Sequence, residues 1–240
     1  VPSGYLSKKS IGFDAGCGSG RWAKFIAPNV KQLTCIDPSY KALEVSKYNL
    51  RKFNNCIFEC SSINDSKIKN NTQDFGYSLG VLHHLPDIKK ALKSCVDKLK
   101  PGAPFLLYLY YSFDNRSYFF KLIWKFSNIC RLIISKLPFF LKLPLSSLIA
   151  IFIYFPIAKF SLILERLGFD VSSIPLSYYR KRPLYFMLTD SLDRFGTKFE
   201  RRFSKKEILF LMEQCGLESI TFKNDAPFWV SLGYKKKENK

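Results

Sequence analysis

Along the first 111 residues, short apolar runs alternate with amphipathic stretches of helical period. Ile11-Gly12-Phe13 leads into Asp14, and Leu33-Thr34-Cys35-Ile36 leads into Asp37. Between these two strands, 21–27 reads as a helix. A second helix is predicted over 39–52, with Leu43, Val45, Tyr48 and Leu50 among its apolar positions and Pro38 before its start. Ile57-Phe58 begins a third strand, 64–73 is a polar loop, and 74–79 is a fourth strand. The helix predicted over 87–99 ends at Lys100-Pro101-Gly102, because proline cannot continue a helix and glycine tolerates the backbone that closes one. The run 105–111 is a fifth strand. Strands alternating with helices predict an α/β fold with a doubly wound, mostly parallel sheet.

From 112 to about 203 no strand–helix unit appears. The pattern then resumes. Ser204 and Glu207 have capping-box spacing before a helix that closes at Gly216. Two strands follow, 218–222 and 228–234, with a turn over 223–227 and a solvated tail from Lys235. The expected organisation is a ligand-binding core (1–111), a largely helical insertion (112–203) and a closing helix and hairpin (204–240). Within the insertion, 117–134 is amphipathic and basic: Phe119, Phe120, Leu122, Ile123, Trp124 and Phe126 stand among Lys121, Lys125 and Arg131. Residues 143–158 are 16 uncharged positions between Lys142 and Lys159. A spanning helix needs about 20, and Pro156 falls inside the run, so a buried or interfacial hairpin is expected there rather than a span. Two readings stay open for the insertion, a lid packed on its apolar face and an element lying on anionic lipid.

The chemistry concentrates where the first strand ends. Asp14-Ala15-Gly16-Cys17-Gly18-Ser19-Gly20 sits between that strand and a helix start, the arrangement of a nucleotide site. Asp37 falls 19 residues after Gly18, close to the ~20-residue interval at which an acidic side chain meets ribose hydroxyls. A dinucleotide fingerprint would place its third glycine where this chain has Arg21. The carboxylate of Asp14 would also repel a pyrophosphate and suits a cationic ligand. In these residues the chain resembles the class I S-adenosyl-L-methionine-dependent methyltransferases, whose first motif is acidic-x-Gly-x-Gly-x-Gly. The resemblance covers 10–111 and 204–235. It implies a Rossmann-like methyltransferase fold of seven strands with the insertion between strand 5 and the last helix.

The resemblance also implies site residues. Asp14 would meet the methionine ammonium. Gly16, Gly18 and Gly20 would let the backbone pass under the ligand, with Cys17 and Pro38 beside it, and Asp37 would accept both ribose hydroxyls. Where many relatives have an adenine-binding Asp after the third strand, this chain has Ser61-Ser62. Tyr77 through Pro86, with Gly80 and the pair His83-His84, resembles the fourth-strand segment of small-molecule methyltransferases, in which Leu79 and Gly80 would line the methionine moiety. His83 and His84 are the candidate catalytic bases, since imidazole titrates near neutrality. A subgroup with an apolar insertion carries a stretch like Asp190 to Phe195. There Asp190 and Arg194, spaced i, i+4, would either pair to anchor the lid or sit over the acceptor. Family members also carry helices before the first strand. A chain opening at Val1 is therefore expected to be a fragment or processed form.

Charge and cysteines refine this picture. The formal net charge is +19. Between Arg116 and Lys206 stand 17 basic and 5 acidic residues, so most of the excess lies outside the nucleotide-binding half and would attract a polyanion. Seven scattered cysteines, an odd number, read as reduced thiols of a cytoplasmic protein, here at the inner face of a membrane. No Cys or His pair lies near Cys56 and Cys60, so no metal is expected. The first reading is methyl transfer to oxygen or carbon of a small or lipid-linked acceptor, a glycan precursor or an isoprenoid or quinone-like molecule, with peripheral membrane contact through 117–160. The alternatives are an RNA methyltransferase, suggested by the charge, and an inactive methyltransferase-fold interaction module.

Overall fold

A computed structural model of the chain describes residues 3–197, 199–225 and 228–237. The chain forms two compact units, Val1–Asp114 with Arg201–Lys240, and Asn115–Glu200.

The first unit is a seven-stranded sheet in the order β3-β2-β1-β4-β5-β7-β6. Strands β1 (Ile11–Ala15), β2 (Gln32–Ile36), β3 (Cys56–Glu59), β4 (Phe75–Leu79) and β5 (Pro104–Tyr108) are parallel. β6 (Leu217–Phe222) and β7 (Ser231–Lys235) close the edge, with β7 antiparallel to both β5 and β6. The central strands are buried on both sides, which is why their residues read as continuous apolar runs. One core cluster gathers Phe13, Leu92, Phe105 and Met212, and the other gathers Leu33, Leu43, Phe75 and Tyr77.

Helix α2 (Tyr40–Leu50) starts at Ser39, whose hydroxyl accepts from the Ala42 amide. Asp87 does the same for Lys90 at α3 (Ile88–Lys98), and Ser204 opens α8 (Lys205–Gln214) with a complete capping box to Glu207. The helix predicted over 21–27 is a single α-helical turn, α1 (Ala23–Ile26), followed by a 3-10 turn at Ala27–Asn29 that accommodates Pro28. The fifth strand ends at Tyr108 rather than 111. Tyr111 instead makes an isolated bridge to Phe203, where the chain returns from the second unit. In the predicted hairpin turn, Ala226 and Pro227 lie outside the described residues, as do residues 238–240 of the tail.

The second unit is helical: α4 (Tyr118–Ile134), α5 (Phe139–Ile149), α6 (Phe155–Arg166) and α7 (Leu184–Gly196). No hairpin interrupts 143–158. A π-helical turn, Ala150–Tyr154, joins α5 to α6, so Phe139–Arg166 is one helix of 28 residues. The wide π turn comes directly before Pro156 and changes the backbone pairing where a proline interrupts it. Pro144 stays inside α5, while the hydroxyls of Ser146 and Ser147 donate back to the Lys142 and Leu143 carbonyls. The unit's apolar core is small, built from Ala150, Ala158 and Met187.

Candidate functional site

The chain runs from β1 to β2 and β3 on one side of the sheet, and to β4 and β5 on the other. β1 and β4 therefore flank the topological switch point, and ligands of doubly wound sheets bind beyond the carboxyl ends of such strands. Asp14, the loop after it, Asp37 and Gly80 all lie at those ends.

The loop is held by the backbone of the neighbouring strand. The amides of Gly16 and Cys17 both donate to the Ile36 carbonyl, at 2.8 and 3.0 Å. The carboxylate of Asp37 ties the two loops together, with Oδ2 accepting from the Gly18 amide at 2.9 Å and Oδ1 from the Ser39 amide at 2.8 Å. The three glycines serve different needs, although all have positive φ. A Cβ on Gly16 would stand 2.4 Å from Val81, and one on Gly20 would stand 2.6 Å from Ser46, so packing alone excludes side chains there. A Cβ on Gly18 would meet nothing within 4 Å, so the loop is open at that residue. Cys17 is buried. Pro38 follows Asp37, and its carbonyl lies 3.7 Å from the Cys60 thiol.

Asp14 is enclosed beneath this loop, in register with Tyr77 on β4. Among the described residues, neither Asp14 Oδ2 nor the Tyr77 hydroxyl has a hydrogen-bond partner. Burial raises the Asp14 carboxyl from 3.8 to about 7, the nearby Tyr77 hydroxyl opposes the shift, and Asp37 adds to it. A buried carboxylate of this kind is costly to leave uncompensated, and a cation beside it would restore its charge.

Ser61 and Ser62 follow β3 as expected, and both hydroxyls face carboxylates. Ser61 donates to Glu59 at 3.0 Å and Ser62 donates to Asp65 at 2.6 Å. The residues that sequence reading passed over here are Glu59 and Asp65. Glu59 also gathers the Ser66 hydroxyl and the Lys67 amide. Its sequence signal was an acidic residue at a strand's carboxyl end, the same signal that marked Asp14 and Asp37.

After Leu79 and Gly80, His83 and His84 form a 3-10 turn. His83 is fully buried and stacks on Tyr110 with ring centroids 3.9 Å apart. Neither of its ring nitrogens has a hydrogen-bond partner among the described residues. Burial, with the charges of His84 and Arg202, pushes its pKa down to about 3. The imidazole is therefore neutral at physiological pH and a poor proton acceptor. His84, half-buried, is the more accessible of the pair. Arg202 lies over the Tyr110 and Phe113 rings, a neighbour that no sequence pattern announced.

Asp190 and Arg194 belong to the second unit and take other partners than each other. Asp190 accepts from the Tyr179 hydroxyl at 2.8 Å. Arg194 donates to Glu200 at 2.6 Å and lies over the Trp124 ring.

A family model described as a methyltransferase domain matches residues 13–107, the span from β1 to β5. Over these residues the chain is similar to a methyltransferase domain. The chain is similar to the ubiquinone biosynthesis O-methyltransferase of Nitrosospira multiformis, at 30% identity over 123 residues, 49% of this chain and 49% of that protein. It is equally similar to the protein of that name from Vibrio parahaemolyticus, at 30% identity over 125 residues, 50% and 51% of the two chains. The chain spans about half the length of these curated relatives. A SAM-dependent methyltransferase structure from Methanosarcina mazei shares the fold, with a TM-score of 0.56 at 18% identity over 98% of this chain and 96% of that one. The methyl donor of such a domain is S-adenosyl-L-methionine. The site fits it: the orphaned carboxylate of Asp14 suits a cationic, phosphate-free ligand, and the opening at Gly18 lets that ligand approach the backbone.

Proposed function

We propose that the protein transfers a methyl group from S-adenosyl-L-methionine to oxygen or carbon of a small or lipid-linked acceptor. The observation that carries this reading is the buried Asp14 carboxylate beneath a glycine loop that Asp37 already holds in place. Asp14 takes the donor's ammonium. Gly16, Cys17, Gly18 and Gly20 pass beneath the donor, and Pro38 flanks it. Asp37 accepts from the ribose hydroxyls, since each carboxylate oxygen has a second lone pair beyond the amide it already holds. Ser61 and Ser62, backed by Glu59 and Asp65, face the adenine, while Leu79 and Gly80 line the methionine end.

When bound, S-adenosyl-L-methionine supplies a methyl group activated on a sulfonium. The chain's contribution is then orientation and exclusion of water. An alcohol acceptor also needs its proton removed, and we assign that role to His84, because burial disqualifies His83. The relatives named for ubiquinone O-methylation support a quinone-like acceptor methylated on oxygen. An isoprenoid acceptor also suits the apolar residues 117–160, which we read as a peripheral membrane contact on the cytoplasmic side. Asp190 and Arg194 are engaged inside the second unit, which favours their role as anchors over acceptor contacts.

The test is incubation with methyl-labelled donor and three acceptors: isoprenoid phenols, polyprenyl-linked sugars and RNA. Label in either lipid supports the reading. Label in RNA alone overturns the acceptor class, and absence of donor binding by calorimetry overturns the enzyme reading.

Asp14 adds a pH signature. Its raised pKa means that the folded chain holds the proton more tightly than the unfolded one. Its contribution to stability therefore falls as pH rises from 3.8 to about 7. A cationic donor binds the ionised form, so affinity should rise between pH 6 and pH 8, with proton release on binding. Calorimetry in two buffers of different ionisation enthalpy checks this. Asp14→Asn should bind weakly and lose the Asp14-linked proton release.

A further inference from the structure

We propose that the second unit docks on an anionic bilayer surface with Phe139–Arg166 lying in the membrane plane rather than crossing it. This rests on the reading of 117–160 as a membrane contact and gives that contact an orientation and a partner chemistry. The helix has 28 residues, and its most apolar 18-residue window has a mean hydropathy of 2.1 with only 17% of it buried. One narrow stripe is covered: Ser146, Ala150, Ala158 and Ser161. Around it Phe140, Leu148, Phe152, Phe155 and Phe160 are exposed, Phe152 to 71%. Helix α4 repeats the pattern, burying Arg131 and Ile134 while exposing Phe119, Leu122, Phe126 and Ile129. Exposed apolar side chains in this number mark an interaction site. Its chemistry is set by the charges beside it, because Lys125, Lys136 and Arg166 are all exposed. Aromatic and aliphatic faces flanked by exposed cations suit the headgroup region of anionic lipid.

Two observations turn the helix into the plane. Its uncharged middle, 143–158, covers about 24 Å at 1.5 Å per residue, short of the ~30 Å hydrocarbon core. Helix α7 also lies along it, the Ser191 hydroxyl donating to the Ser146 carbonyl at 2.8 Å, and α7 carries Asp190, Asp193 and Arg194. A spanning helix would draw those charges into hydrocarbon, where they are costly. In the plane, α7 faces water and the phenylalanine arc faces lipid.

The test is cosedimentation of the full chain with vesicles of phosphatidylcholine, alone or with about one third phosphatidylglycerol. Binding is expected on the anionic vesicles and should be released by an alkaline carbonate wash. The double variant Phe140→Glu, Phe152→Glu should bind roughly 10-fold or more weakly. Lys136→Gln with Arg166→Gln should lose about 5-fold per charge and the preference for anionic lipid. Resistance to the wash would overturn the in-plane placement. Absence of vesicle binding with concentration-dependent self-association would show that a second copy covers the face. Displacement from vesicles by RNA at matched ionic strength would overturn the lipid assignment. Donor binding by calorimetry is expected to be unchanged in these variants, so failure on vesicles leaves the methyl-transfer reading standing, and the reverse holds too.

Discussion

Asp37→Ala is expected to abolish saturable binding of S-adenosyl-L-methionine, a loss of roughly 100-fold or more. The carboxylate does two things at once. It presents two oxygens at the carboxyl end of β2, where a ribose would lie. It also clamps the glycine loop through the Gly18 amide at 2.9 Å and the start of α2 through the Ser39 amide at 2.8 Å. Hydrogen bonds to a charged group contribute about 1.5–3 kcal/mol each, so losing two to the ligand accounts for the fold-change before the loop relaxes. Asp37→Asn separates the two roles. It keeps one acceptor oxygen for the clamp and loses the charge, so its thermal midpoint should stay closer to the parent than that of Asp37→Ala, while donor affinity still falls. Calorimetric titration beside thermal unfolding reads both. Donor affinity within a few-fold of the parent in Asp37→Ala would remove Asp37 from the site.

Capped helix starts are the most legible parts of this chain, because each is decided by a few adjacent residues. Ser39, Asp87, Ser117 and Ser204 all accept the amide that a capping residue should. Asp14 near the end of β1 and Asp37 after β2 lie at the carboxyl edge of the sheet, where the parallel order of neighbouring strands brings their ends together. Less legible was whatever depends on partners distant in sequence. The predicted break in 143–158 came from reading Pro156 as an interruption, whereas a π turn five residues long absorbs it. His83 read as a candidate base because nothing local reveals that Tyr110, 27 positions later, would stack on it and seal it from water. Glu59 and Asp65 carry no motif of their own, and the fold brings them against the hydroxyls of Ser61 and Ser62. Helical spacing leaves Arg194 either paired with Asp190 or over an acceptor, whereas the carboxylate it meets is Glu200, beyond the end of α7.

Glu200→Gln is expected to destabilise the second unit by about 3–5 kcal/mol, the cost of breaking a buried ion pair from one side. The Glu200 side chain is 2% exposed and that of Arg194 is 12% exposed, with 2.6 Å between their charged atoms. Arg131 is buried close by, donating to Asn128 and to the Thr197 carbonyl. Burial disfavours its charge, and Glu200 is the group that offsets this. Removing the Glu200 carboxylate takes countercharge from both guanidinium groups in a unit whose buried apolar cluster is small. Limited proteolysis should then cut within 115–200 at lower temperature, while donor binding by the first unit persists. The paired replacement Arg194→Met with Glu200→Leu should recover only part of the loss, since removing both charges removes their own desolvation penalty but still takes the countercharge from Arg131. An Arg194 that instead held the acceptor would behave differently. Glu200→Gln would then raise KM with little change in proteolytic resistance, and the double variant would be stable but inactive. The same pair of variants therefore decides whether this arginine anchors the helical unit or reads the substrate.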